Sequence, residues 1–280
     1  MTVKLVTDST SYIDENIQAD LQIKTLHLSV HFPEESWDET LVPYDYFYSK
    51  IERDDVIPTS SQPALGEMYE AFKEIVARGE EVLGIFLSSK MSGTYQTALH
   101  AKQMILEEFP KARIEIMDSK INCMAMGLQV IEAAMDANAG EKMEEVMDTA
   151  RHIMERVHFY FVPASLKYLI KGGRIGGASA LIGSLLHIRP ILYVNNGATD
   201  VFHKVRGTQK AVKHMLSQLN RDAKHYGIKH LLVHHISNEK QGQELAQILS
   251  QQYNYSSVCI HRTRHWIACR TRNHSDRILY

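Results

Sequence analysis

Cysteine is scarce in this chain: Cys123, Cys259 and Cys269 are its three, and no two stand in a Cys-x-x-Cys pair. An odd, unpatterned set argues against a disulfide framework and for free thiols. Net charge is nearly absent too. Thirty-one basic against 33 acidic side chains give a formal −2, and the basic residues are dispersed until the C-terminus. That removes the electrostatic footprint of a nucleic-acid binder. No apolar run approaches the roughly 18 uncharged residues that a bilayer span needs. The opening Met1-Thr2-Val3-Lys4-Leu5-Val6-Thr7-Asp8 has no apolar leader core. The expectation is a cytoplasmic protein with no integral membrane segment. Also missing are the Walker A, G-x-G-x-x-G and G-x-S-x-G patterns, so neither a nucleotide cofactor nor a standard serine hydrolase is indicated.

What is present is ample core material. With 280 residues and 44% apolar side chains, two domains are expected. Val3 to Val6 reads as a buried strand leaving into the hydroxyl-rich turn Asp8-Ser9-Thr10-Ser11. Leu26 to Phe32 reads as a second strand, Tyr44 to Ile51 as a short helix, and Pro58 to Pro63 as an interruption. Helical spacing then runs from Leu65 to Ala77. Val82 to Leu87 is a strand, Thr94 to Phe109 a helix, and Ile114 to Met117 a strand ending in Asp118-Ser119. Strands alternating with helices imply a mainly parallel sheet covered on both faces. Three of its exits carry polar side chains at carboxyl ends of strands, where open α/β sheets bind ligands.

Glu141 to Val157 is a charged helix bridging to a second unit. There His158 to Val162 is a strand, and Ala164 to Ile170 a helix stopped by Gly172-Gly173. Pro190 to Val205 is a hairpin turning at Asn195-Asn196-Gly197. Gly207 to Leu219 is a helix, His230 to His235 a strand, Glu239 to Gln251 a helix and Ser257 to His261 a last strand. The fold class is therefore α/β in two domains. Residues 1–157 form a mainly parallel α/β/α sheet domain with hydroxyl-rich loops, and residues 158–280 a smaller α/β domain with a mixed sheet.

Five stretches in order carry a family likeness. They are Thr7-Asp8-Ser9-Thr10, Thr59-Ser60-Ser61-Gln62-Pro63, Ser88-Ser89-Lys90-Met91-Ser92-Gly93-Thr94-Tyr95, Asp118-Ser119, and Gly172-Gly173-Arg174-Ile175 continuing through Gly183 to Leu192. Together they resemble the DegV family of bacterial fatty-acid-binding proteins, as far as about Val258. The resemblance implies a long-chain fatty acid such as palmitate held between the two domains. It also implies a carrier, not an enzyme, that presents the acyl chain to an ATP-dependent fatty-acid kinase subunit. The family's head-group hydroxyls fall on Ser92 and on Ser60, where a threonine is usual, with Thr59 a neighbour of unknown role. Arg174 and Arg206 match two basic positions that serve the carboxylate or the partner. No cofactor or metal is implied.

Physical magnitudes agree with a division of labour. About 14 methylenes at ~0.8 kcal/mol each gain roughly 11 kcal/mol on burial, before ordering costs. A hydrogen bond to a charged group nets only about 1.5–3 kcal/mol. A tunnel sets affinity, and the serines set which end faces out.

Each of these residues also has a structural reading. Ser92 can cap the Thr94 helix, and Thr59 to Gln62 can be a plain turn. Asp8 and Asp118 fit local backbone bonding, Arg174 can face the last carbonyls of the preceding helix, and Met124, Met126 and Met135 fit ordinary core. The competing function is a Ser92-dependent hydrolase or acyltransferase, for which no histidine and aspartate can be assigned as partners.

The tail departs from the family, whose members close on a His-x-Gly-Pro-Gly loop with its histidine near the carboxylate. Here the chain runs Ile260-His261-Arg262-Thr263-Arg264-His265-Trp266-Ile267-Ala268-Cys269-Arg270-Thr271-Arg272-Asn273-His274, a basic stretch without that loop that reads as neither a core strand nor a regular helix. Back-translating Arg262 to Ile278 one base later permits Gly-Pro-Val-Ile-Gly-Leu-His-Ala-Gly-Pro-Gly-Thr-Ile-Ala-Ile-Gly-Phe, which contains that loop. A frameshift upstream of about Arg262 is the expectation. The rival reading takes Cys259, His261, His265, Cys269 and His274 as metal ligands, but their spacing matches no familiar finger.

Overall fold

The computed structural model describes residues 2–182, 189–236, 238–253, 259–262 and 275–279. The chain divides into two compact units, Met1–Glu155 and Arg156–Tyr280. Gly183 to Ile188 of the fifth motif, and His265, Cys269 and His274 of the tail, lie outside the described residues.

The first unit opens with β1 (Val3–Asp8), a 3-10 turn at Ser9–Ser11, α1 (Glu15–Asp20) and β2 (Lys24–Leu26). It continues through β3 (Ser29–His31), β4 (Ser36–Asp38), α2 (Tyr44–Asp54), β5 (Thr59–Ser61) and α3 (Leu65–Ala77). It closes with β6 (Glu81–Phe86), α4 (Thr94–Glu108), β7 (Ile114–Asp118), α5 (Cys123–Ala139) and α6 (Met143–Arg156). The main sheet has the order β2-β1-β6-β7 and is parallel throughout. Every residue of β6 is buried, as a central parallel strand covered on both faces requires. Val82 and Phe86 join Met68, Phe72 and Ile75 of α3 and Ala98, Ala101 and Ile105 of α4 in one core. Leu83 and Ile85 alternate to the other face and are equally buried, and α5 packs against β1 and β6.

Two expectations change here. The strand read over Leu26 to Phe32 is two strands in different sheets. β2 pairs with β1, whereas β3 is the centre of a small antiparallel sheet ordered β4-β3-β5. The interruption at Pro58 to Pro63 contains β5. Three-residue strands show too little alternation for a periodicity reading, and only their partners stabilise them. The long helix α5 left no amphipathic signature because it is buried nearly all round. Met124 and Met126 are core, but Met135 is exposed.

The second unit runs β8 (Val157–Phe161), α7 (Lys167–Lys171), a 3-10 segment at Gly176–Leu181, β9 (Arg189–Asn195), β10 (Ala198–Val205) and α8 (Thr208–Tyr226). It ends with β11 (His230–His235), α9 (Glu239–Tyr253), β12 (Cys259–Arg262) and β13 (Ser275–Leu279). Its six-stranded sheet has the order β10-β9-β8-β13-β11-β12, mixed in direction. Ala211, Met215 and Leu219 of α8 and Leu245, Ala246 and Leu249 of α9 pack on Tyr160, Ile191, Leu231 and Val233. The strand expected to be last, β12, stands at the sheet edge. β13, which the sequence reading did not anticipate, follows the basic stretch of the tail and enters between β8 and β11, antiparallel to both. The ladder on both sides satisfies its backbone, a gain that composition alone does not display.

Candidate functional site: a hydroxyl-lined pair of loops

The exits of β1, β6 and β7 lie side by side and are stitched together by two carboxylates. Asp8 accepts from the Thr10 backbone N–H at 3.0 Å and from the Leu87 N–H at 2.9 Å, across 79 residues of chain. Asp118 accepts from Ser89 Oγ at 2.5 Å and from the Lys120 N–H at 2.9 Å. The Ser88 N–H donates to the Ile121 carbonyl. Both aspartates thus act as loop ties, which is their structural reading, and the loop from Ser88 to Gly93 is held at its base.

On that loop the N–H groups of Met91 and Ser92 both reach the Ser88 carbonyl, turning the chain sharply into α4. Ser92 Oγ lies 2.9 Å from Thr94 Oγ1 and 3.3 Å from the Thr94 N–H. It is half-buried. Among the described residues no histidine or carboxylate hydrogen-bonds this hydroxyl, so it has no general base in reach there. The N-cap position, Gly93, supplies no side-chain hydrogen bond. Apart from the Thr94 N–H, which reaches Ser92 Oγ, the first turn of the 15-residue helix α4 turns its N–H groups and the positive end of its dipole toward an anion.

The second hydroxyl comes from the small sheet. Side chains alternate across a strand, and Ser60 stands opposite Val30, which in turn stands opposite Trp37. Ser60 therefore shares a face with buried Val30, on the side where Phe32 packs on Trp37 at 5.1 Å and on Phe47 at 6.1 Å between ring centres. Lys50 sits over the Phe32 ring at 5.1 Å and pairs with Glu35 at 2.5 Å. Half-buried on this aromatic side, Ser60 Oγ makes no hydrogen bond among the described residues. Thr59 lies on the opposite, exposed face with Ser61. There His31 is bracketed by Ser36 Oγ at 2.8 Å and Ser61 Oγ at 2.9 Å.

One residue joins the two loops. Gln62 Nε2 donates to Thr97 Oγ1 of α4 at 2.8 Å, and the same amide covers Gly93. The structure thus brings the loop of Ser60 into contact with the loop of Ser92 inside one unit. Sequence reasoning had Gln62 inside a motif and assigned it nothing. Its partner lies 35 residues away, and no local signal reports that.

Arg174 and Arg206 belong to the second unit. The helix α7 closes with Gly173 at φ 72°, its N–H donating to the Ile170 carbonyl and the Arg174 N–H to Leu169, the geometry a left-handed glycine allows. The Arg174 guanidinium donates to the Gly172 carbonyl, and burial lowers its pKa. Arg206 is exposed at the end of β10. A separate cleft of about 450 Å³, lined by Val76, Phe109, Pro110 and Ala112, opens at the start of β6 and β7, the opposite end of the strands from the hydroxyl loops. No helix among the described residues is long and apolar enough to cross a membrane, and none of their side chains cluster as a metal site.

Comparison with known proteins places this geometry in context. Residues 2–271 match the model of a family described as uncharacterised protein, DegV family. A DegV domain-containing protein of Clostridium acetobutylicum is 41% identical over 258 residues, covering 92% of this chain and 90% of the relative. Protein DegV of Bacillus subtilis is 32% identical over 257 residues, covering 90% and 89%. The crystal structure of DegV, a fatty acid binding protein from Bacillus subtilis, superposes over the whole of both chains with a TM-score of 0.84 at 28% identity.

Proposed function

The chain belongs to the DegV family, and on that premise we propose that it binds a long-chain fatty acid such as palmitate and presents it to a fatty-acid kinase subunit. The observation that carries the reading is the conjunction in one unit of two half-buried serine hydroxyls, Ser92 at the N-terminus of α4 and Ser60 on the strand whose neighbour Gln62 contacts that helix. Hydroxyls and helix amides recognise a carboxylate without offering it a base or a nucleophile's activating partner. The Bacillus subtilis relative described as a fatty acid binding protein supports the choice of ligand.

In this reading Ser60 and Ser92 grip the head group while an apolar enclosure takes the chain. Arg206, exposed, serves the partner. Arg174, turned onto the Gly172 carbonyl, positions its loop. Phosphoryl transfer from ATP to the bound carboxylate is then the partner's chemistry. Mass spectrometry of a solvent extract of the purified protein tests the ligand: a saturated or monounsaturated acid of about 14–18 carbons is expected, since burying that many methylenes slows release. An extract holding only nucleotides or sugar phosphates rejects it. Adding the loaded protein to a fatty-acid kinase subunit with ATP should yield acyl phosphate and ADP, and no ADP above background would remove the presenting role.

A further inference from the structure

We propose that Gln62 is a positioning residue: its amide latches the Ser60 strand to the start of α4 and so fixes the spacing of the two head-group hydroxyls. This deepens the fatty-acid reading and rests on it. Gln62 directly follows β5 and precedes buried Pro63, so its backbone is confined to the extended region and its side chain leaves in a restricted direction. That direction ends on α4. Nε2 donates to Thr97 Oγ1 at 2.8 Å, and Thr97 is itself buried.

Glycine at position 93 shows how close the fit is. Its backbone, φ −76° and ψ 0°, is one that any residue adopts, so conformational freedom is not the reason for glycine here. What glycine leaves is room for the end of the exposed Gln62 side chain. A Cβ at Gly93 would stand 2.6 Å from Gln62 Oε1 and 3.0 Å from Nε2. The missing side chain leaves a socket for the Gln62 amide: Gly93 is one residue after Ser92, and Gln62 is two residues after Ser60. Without the latch, each hydroxyl retains its own loop but not its distance to the other, and two hydroxyls act on one carboxylate only when that distance is held.

The test uses the full chain, palmitate as the acid and methyl palmitate as the control that keeps the chain and removes the charge. Gln62→Ala and Thr97→Val should each weaken palmitate binding by about 5- to 20-fold, the effect of one mispositioned hydrogen bond. Methyl palmitate should change by less than about 2-fold, since chain burial is untouched. Gly93→Ala, which fills the socket, should match Gln62→Ala, and Thr97→Ser, which keeps the hydroxyl, should restore wild-type discrimination. The Gln62→Ala/Thr97→Val double variant should lose no more than either single, because both remove one contact. Hydrogen exchange on ligand-free protein should show faster exchange in both 59–63 and 88–97 when Gln62 is alanine, with other segments unmoved. Equal losses for acid and ester, additive losses, or exchange confined to 59–63 would overturn the proposal. A wild type that takes up no fatty acid overturns the reading of the site instead, and the exchange measurement still decides whether Gln62 couples the two loops.

Discussion

The two larger sheets of this molecule are built from different kinds of sequence. In the first unit the parallel sheet takes all four strands from residues 3–118, and its central β6 is buried along its whole length. In the second unit the strand joining the two halves of the sheet is β13, drawn from the last residues of the chain and containing Asp276 and Arg277. Charged residues are disfavoured in strands, and a central position is where that preference counts most. The first sheet is specified by its own composition, whereas the second depends on a segment that its neighbours place.

Truncation after Arg262 breaks that comparison most severely. Without β13 the sheet separates into β10-β9-β8 and β11-β12. Losing the ladders to both β11 and β8, on the order of ten backbone hydrogen bonds at ~1 kcal/mol each, reaches the whole stability of a small domain, about 5–15 kcal/mol. Calorimetry should show the second unit's transition lost while the first still melts cooperatively. Two intact transitions would show that β13 contributes nothing.

The site itself gives the next effect. Ser60→Ala and Ser92→Ala, both in the first unit, should each cost about 1–3 kcal/mol of palmitate affinity, the range for removing a partner from a buried polar group. Folding of either unit should change by no more than the ~1 kcal/mol of a lost helix cap. Calorimetric titration with palmitate and its methyl ester checks this. A double variant that still prefers acid over ester as strongly as wild type would place the head group elsewhere.

Rewriting the tail sharpens the contrast. Reading Arg262 to Ile278 in the next frame replaces Asp276, a residue disfavoured in strands, with isoleucine, and Arg277 with glycine, which is itself disfavoured there. A net gain below about 1 kcal/mol, a rise of less than about 5 °C in the second unit's midpoint, is expected. An unchanged or lower midpoint counts against the displaced frame, as do codons unable to encode His-x-Gly-Pro-Gly one base later.

Acid should then separate the units by the smallest margin. Burial holds the His158 pKa below its ordinary 6.5, with the Asp222 charge opposing. The unfolded chain therefore binds a proton that folded His158 refuses, and the second unit loses stability as pH falls through 6.5 toward the folded value. In the first unit hydrogen bonds from Lys73 and Tyr69 hold the Glu108 pKa below its ordinary 4.5. Its contribution is present above pH 4.5 and lost only as pH falls below that. Segment-resolved hydrogen exchange between pH 7 and 5 should loosen β8 while leaving β6 protected. Equal loosening would remove His158 as the cause.

Sequence alone determined the elements whose information is local. Leu65 to Ala77 is helical because six apolar side chains recur at helical spacing. Val82 to Leu87 reads as a strand because it is a short apolar run, and β6 takes it up as far as Phe86, while Asn195-Asn196-Gly197 is a hairpin turn because two of its residues tolerate positive φ. Ser60 and Ser92 were singled out as head-group candidates by the family resemblance of their motifs. Tertiary structure alone decided that the read strand over Leu26 to Phe32 divides between two sheets, that Asp8 ties Leu87, that Gln62 closes over Gly93, and that β13 separates β8 from β11. Each of these is a pairing between residues far apart in the chain. A backbone donor or a side-chain amide carries no mark of the partner that will satisfy it until the chain has folded around both.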